Sequence, residues 1–115
     1  MKNTTSIGIE AESKACEYLQ NKGYKIIERN YRNRFCEIDI VCFNTEYICL
    51  VEVKYRKNSN YGGGAGAINR DKQNRLRRAF EYWLMKNENY SNLQPRIDVV
   101  LVDQDCNIEH IENAI

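Results

Sequence analysis

A chain of 115 residues with 43% apolar and 29% charged side chains is long enough to bury a real core, but leaves no comfortable room for a second domain. Residues 1–115 are therefore read as one soluble domain, and the single proline excludes long proline-rich tracts. The net charge of +1 excludes no class of partner, but its distribution is uneven.

Between Val53 and Arg78 the cations Lys54, Arg56, Lys57, Arg70, Lys72, Arg75, Arg77 and Arg78 stand against Asp71 alone. From Asp98 onward come Asp98, Asp103, Asp105, Glu109 and Glu112, with no Lys or Arg. Such a basic block suits a polyanion such as nucleic acid, and a solvated helix face is the plainer alternative. Met1 to Ser6 lacks the apolar centre of a signal peptide, and no stretch approaches the roughly 18–20 apolar residues that span a bilayer. The expected location is the cytoplasm. The 5 cysteines lack a C-x-x-C pair and mostly fall in apolar segments, so they read as buried reduced thiols. With a single histidine, His110, a zinc site is not expected.

Ala11, Ala15, Tyr18 and Leu19 recur at helical spacing and predict a helix over 6–22, with Ser6 as N-cap and Gly23 as C-terminal cap. Residues 24–30 read as a short strand, followed by the basic turn Tyr31-Arg32-Asn33-Arg34. Two apolar strands follow, about 35–43 and 46–56, joined near Asn44-Thr45. The glycine run 62–66 reads as a flexible loop facing substrate or a plain linker; it lacks the Gly-Lys-Ser/Thr of a P-loop. Residues 69–87 give the clearest helix, with Leu76, Ala79, Phe80, Trp83 and Leu84 along one stripe. A strand at 97–102, a turn at 103–105 and a weaker strand at 106–112 complete the order. Helices covering a mixed sheet, an α/β or α+β domain, follow from it, and the long connection from 56 to 97 allows the fourth strand to run parallel to the third.

Charges interrupt the two apolar strands. By alternation, Glu37 and Asp39 share a face with Phe35 and Val41, against Cys36, Ile38, Ile40 and Cys42. Ile48, Leu50, Glu52 and Lys54 likewise share one face. With Phe43 opposite Glu46, Glu37 faces Glu52, Asp39 faces Leu50, and all four charges fall on one side. Asp39 and Glu52 are then diagonal neighbours, roughly 7–8 Å apart at the backbone. An odd loop length would separate the charged faces. Buried carboxylates in that arrangement need compensation, partly from Lys54 and otherwise from a hard cation such as Mg²⁺. An exposed face of ordinary salt bridges is the alternative.

Asp39 followed by Glu52-Val53-Lys54 resembles the D…E-x-K half of the PD-(D/E)xK, restriction-endonuclease-like superfamily. The ordered series "AESKACEYL", "GYKIIERNYR", "EIDIV", "LVEVKYR", "INRDKQNRL", "RIDVVLV" and "IENA" resembles the YraN-like family of predicted endonucleases, relatives of Holliday junction resolvases, over nearly the whole chain.

The resemblance implies an α/β, three-layer restriction-endonuclease-like domain whose central mixed sheet is flanked by helices. It implies a Mg²⁺- or Mn²⁺-dependent endonuclease acting on DNA, with branched DNA as the favoured substrate and a homodimer by analogy. Asp39, Glu52 and the Val53 carbonyl match metal ligands, and Lys54 matches the lysine that orients the attacking water. Glu12 matches an additional acid of the resolvase-like branch; an ordinary acid near a helix N-terminus is the alternative. Arg56 and Lys72 match basic family positions, with plain surface charge as the other reading. Arg32, Arg34, Arg70, Arg75 and Arg78 are candidate phosphate contacts from the residues alone. Cys36 stands where the family usually has glycine, and Glu37 matches no clear catalytic role. A non-catalytic nucleic-acid-binding module and a protein-interaction domain using the acidic tail remain the alternative functions.

Overall fold

The computed structural model describes residues 4–56 and 68–115. The glycine run read as a loop lies outside them. In chain order the elements are α1 (Thr4–Asn21), β1 (Lys25–Arg32), β2 (Glu37–Phe43), β3 (Tyr47–Arg56), α2 (Arg70–Lys86), a 3₁₀ turn (Glu88–Tyr90), β4 (Gln94–Asp103) and β5 (Ile108–Ile111).

The five strands form one sheet in the order β1-β2-β3-β4-β5. All neighbours are antiparallel except β3 and β4, which run parallel from Tyr47↔Gln94 to Arg56↔Asp103. The connection carrying α2 makes that parallel pairing possible. Ala11, Ala15 and Leu19 of α1 pack with Ile40, Cys42, Cys49 and Val51 on one face of the sheet. On the other, Leu76, Ala79, Phe80 and Trp83 of α2 pack with Val41, Ile48 and Leu50. This is the expected three-layer α/β domain of restriction-endonuclease-like form.

Local chemistry sets the boundaries. Gly23 ends α1 with φ 100; its N–H bonds Gln20 O at 3.1 Å and the Tyr24 N–H bonds Leu19 O at 3.0 Å. This is a Schellman cap, which glycine adopts without a Cβ penalty. Helix α1 begins at Thr4, so Ser6 lies inside its first turn and is not the N-cap. Helix α2 starts as expected beside Asn69, whose side chain accepts the Lys72 N–H at 2.8 Å. Tyr31 and Arg32 belong to β1 rather than to a basic turn; the turn is instead tied by the Asn33 N–H to Cys36 O, 3.2 Å.

The β2–β3 register differs from the expected one by two residues. Asn44 accepts the N–H groups of Glu46 and Tyr47 at 2.9 and 2.8 Å, and this turn sets Phe43 opposite Ile48. A shift of two preserves which face each side chain takes.

Alternation along β2 fails at one place. Ile40 and Cys42 pack with α1, but Ile38, together with Cys36, joins the α2 cluster. The break lies opposite Asn30 of β1, a left-handed residue with φ 54 between the pairs Arg29↔Ile40 and Tyr31↔Ile38. The expected apolar row Cys36-Ile38-Ile40-Cys42 is thus divided between two faces, while the register shift of the β1–β2 pair lies between Ile26 and Glu28.

Among the cysteines, Cys16, Cys42 and Cys49 are buried, Cys36 is half-buried, and all are free. Cys106 departs from the expectation: it is exposed, in the β4–β5 turn, at φ 62.

Candidate active site: a carboxyl pair in the fork between β2 and β3

The β2–β3 ladder runs from Phe43↔Ile48 to Ile40↔Val51. Beyond it β2 stays with β1 as far as Arg32↔Glu37, while β3 stays with β4 as far as Arg56↔Asp103. Asp39 sits where the two strands part. Its Oδ2 accepts the Val53 N–H at 2.9 Å, so a side-chain carboxylate takes the place of a main-chain partner.

Glu52 lies beside it. Because Ile48 and Leu50 pack toward α2, alternation carries Glu52 and Lys54 to that same side. One step past the last ladder pair, Ile40↔Val51, Asp39 comes opposite Glu52, so the two carboxyls share the mouth of the fork. Glu52 is only 7% exposed. Burial, then the Asp39 charge, push the Glu52 carboxyl up to about 8, against the lowering influence of Lys72 and Lys54. Burial also raises Asp39, although the Val53 N–H lowers it. Two acids forced together out of water in this way form a site whose unmet need is positive charge.

Cations surround the pair on one side. Lys72 Nζ stands 3.6 Å from Glu52 Oε2. Lys54, Lys72 and Arg75 line, with Glu52, Ile68 and Asn69, a cavity of about 280 Å³ at the start of α2. Glu12 approaches from α1, and its carboxyl is raised by burial and next by the Asp39 charge.

The pair fits a hard divalent cation by its donor chemistry: two neighbouring carboxylates, one half-buried and one buried, with a cavity beside Glu52. Among the described residues, however, no group of three or more His, Cys, Asp or Glu side chains is gathered as a metal cage. Glu12 therefore stands beside the pair rather than completing a triad.

The remaining predicted residues divide between this site and other parts of the surface. Arg75, Arg77 and Arg78 are exposed on α2 and Arg70 is exposed at its start, with Arg75 3.6 Å from Asp71. Arg34 is exposed and lies over the Phe35 ring at 5.0 Å. Arg32 pairs with Glu37 at 2.7 Å. That bond answers the question of Glu37: its partner is a cross-strand arginine of β1, not Glu52. Arg56 is held by Glu109 of β5 at 3.2 Å, with its side chain only 17% exposed.

The sequence reading missed a second buried group of charges. Asp98 is fully buried; its Oδ1 accepts Arg96 Nε and the Asn113 N–H, both at 2.9 Å. Its Oδ2 lies 2.9 Å from Arg96 Nη2 and 2.8 Å from His110 Nε2. Arg96 also donates to the Tyr24 hydroxyl. Alternating apolar residues in "RIDVVLV" gave no warning of it beyond the two charges themselves.

Comparison with other proteins places the chain. The model of the family described as "Uncharacterised protein family UPF0102" matches residues 11–102. The chain belongs to the UPF0102 family. The UPF0102 protein of Alkaliphilus oremlandii (strain OhILAs) is 40% identical over 112 residues, covering 94% of this chain and 96% of that protein. The UPF0102 protein of Vibrio vulnificus (strain YJ016) is 42% identical over 112 residues, covering 96% and 92%. The one from Persephonella marina (strain DSM 14350 / EX-H1) is 38% identical over 107 residues, covering 93% and 90%. The UPF0102 match spans Glu12, Asp39, Glu52, Lys54, Lys72 and Asp98, and stops before His110. No helix among the described residues of this UPF0102 chain is long and apolar enough to cross a membrane.

Proposed function

We propose that this UPF0102 protein is a metal-dependent endonuclease that hydrolyses DNA phosphodiester bonds. The observation that carries the reading is the half-buried Asp39 beside the buried Glu52 where β2 and β3 part, with Lys54 and Lys72 next to Glu52. A protein gains nothing in stability from such a pair, so its retention points to a use that needs two oxygen donors.

Asp39 and Glu52 would hold Mg²⁺ or Mn²⁺. The Val53 N–H faces the fork, and in a strand the carbonyl of the same residue points the same way, which offers it as a further ligand. When bound, the ion supplies Lewis acidity to the phosphodiester and an acidified water. Lys54 orients that water and offsets negative charge gathering on the phosphoryl oxygens. The exposed arginines of α2 hold neighbouring phosphates, which positions DNA without reading its sequence. Branched DNA is favoured as substrate, and a symmetric dimer as the working form, through the resolvase resemblance alone.

A nucleic-acid-binding module without turnover is the second reading. It is favoured by the finding that no three ligating side chains converge among the described residues. The acidic tail offers little to a basic partner, because Asp98, Asp103, Glu109 and Glu112 already engage Arg96, Asn107, Arg56 and Lys22.

Labelled four-way junction, flap, single-stranded and duplex DNA, incubated with Mg²⁺, Mn²⁺ or EDTA, separate the readings. Metal-dependent cleavage of at least one substrate, lost in Lys54→Ala, is the expected result. Salt-sensitive binding with no cleavage of any substrate would instead establish the module.

A further inference from the structure

In the carboxylate site just proposed, Lys72 already occupies the side of Glu52 that a divalent cation would neutralise. Its Nζ is 3.6 Å from Glu52 Oε2, where the glutamate side chain is 10% exposed and the lysine's 32%. The ammonium thus reaches a buried acid from the solvent side. Its backbone is fixed, because Asn69 caps α2 by accepting the Lys72 N–H at 2.8 Å. The side chain above that anchor is long and has three freely turning donors. Together with Lys54 and Arg75 it also lines the cavity that opens over Glu52. Lys72 therefore has two partners within reach: the glutamate, and any anion that enters the cavity.

Two cations at one carboxylate repel each other, and a divalent ion on Glu52 weakens the hold of that glutamate on Lys72. A phosphate in the cavity does the same from the other direction, by offering Lys72 a more exposed anion. We infer that Lys72 is an exchangeable cation: it faces Glu52 in the metal-free protein and passes to a DNA phosphate when a divalent cation takes its place. Metal and DNA are then coupled through one side chain, and by linkage each strengthens binding of the other. The lowering influence of Lys72 on both acids, larger on Glu52 than that of Lys54, agrees with its position. Lys72 is in this sense a positioning residue. The inference rests on the proposed metal site and adds a regulation of it.

The test is Mn²⁺ titration of the full chain without DNA, by calorimetry, for the native protein and for Lys72→Gln, Lys72→Arg and Glu52→Gln. Removing the resident cation is expected to tighten Mn²⁺ binding roughly three- to tenfold in Lys72→Gln, while Lys72→Arg stays near the native value. The same Lys72→Gln change is expected to raise several-fold the DNA concentration that half-saturates single-turnover cleavage. Unchanged or weaker Mn²⁺ binding in Lys72→Gln, with binding lost in Glu52→Gln, would overturn the exchange and leave the metal site standing. Tighter Mn²⁺ binding with unchanged half-saturation would overturn the transfer to phosphate. Native Mn²⁺ affinity in Glu52→Gln would overturn the site and the exchange together.

Discussion

Two buried acids carry opposite chemistry in this small domain. Glu52 is poorly compensated, and its carboxyl holds a proton well above the usual range. Burial alone would raise Asp98 too, but hydrogen bonds from His110, Arg96 and the Asn113 N–H outweigh it and hold that carboxyl below its ordinary value. The first is suited to exchange a proton for a cation; the second is a fixed anion that fastens β4 to β5 and to Tyr24 after α1. For Asp98 the folded state binds the proton less readily than the unfolded chain. Its contribution to stability is therefore present above the ordinary aspartate pKa of about 4, and is lost as pH falls through the lower folded value. Asp98→Asn strands Arg96, whose side chain is 8% exposed, and is expected to cost about 3–5 kcal/mol near neutrality. Urea unfolding from pH 2 to pH 7 should show that gap closing in acid; a gap independent of pH would remove the ion pair as its source.

At the scale of elements, much of the arrangement was legible because it rests on short-range periodicity. The stripe Leu76, Ala79, Phe80, Trp83 and Leu84 predicts the buried face of α2; the first four are its buried side chains and Leu84 is half-buried. The shared face of Glu52 and Lys54 is set by alternation within β3 alone, whatever the register, whereas Glu37 leaves the expected charged face because Cys36 and Ile38 on either side of it both pack toward α2. Details set by single turn residues were not legible. Asn44 sets the hairpin register, and the break in alternation between Ile38 and Ile40 falls opposite left-handed Asn30, yet neither asparagine changes the hydrophobic pattern. The Arg96–Asp98–His110 group was hidden for a different reason: its partners come from separate elements, with Tyr24 72 residues from Arg96, a separation that no local period reports. At this scale Asn69→Ala is expected to destabilise the protein by about 1 kcal/mol through the lost cap. That corresponds to a melting point lower by several degrees for a domain of this size. Thermal unfolding measures it, and an unchanged midpoint would deny the cap a stabilising role.

Across the whole molecule, charge that looked polarised along the chain is partly neutralised in space. Acids late in the chain meet cations from distant elements, as Glu109 meets Arg56 and Glu112 meets Lys22. Among the described residues, the exposed arginines of α2 remain available to a polyanion. Arg75→Glu combined with Arg78→Glu is accordingly expected to weaken DNA binding about equally for all sequences. It should also flatten the dependence of log affinity on log salt by about one for each phosphate that the variant no longer neutralises. Fluorescence anisotropy over a salt series gives both quantities, and an unaltered slope would place the DNA elsewhere.

The central claim concerns the fork between β2 and β3, where Asp39 and Glu52 stand side by side. Isosteric amides test it with least disturbance to the fold: single-turnover cleavage of whichever DNA the native protein cuts, in Mg²⁺ or Mn²⁺, by Asp39→Asn and Glu52→Gln. The account predicts that both substitutions lower the rate at least about 100-fold while circular dichroism and DNA binding in EDTA stay native. Cleavage that persists in either variant would contradict it.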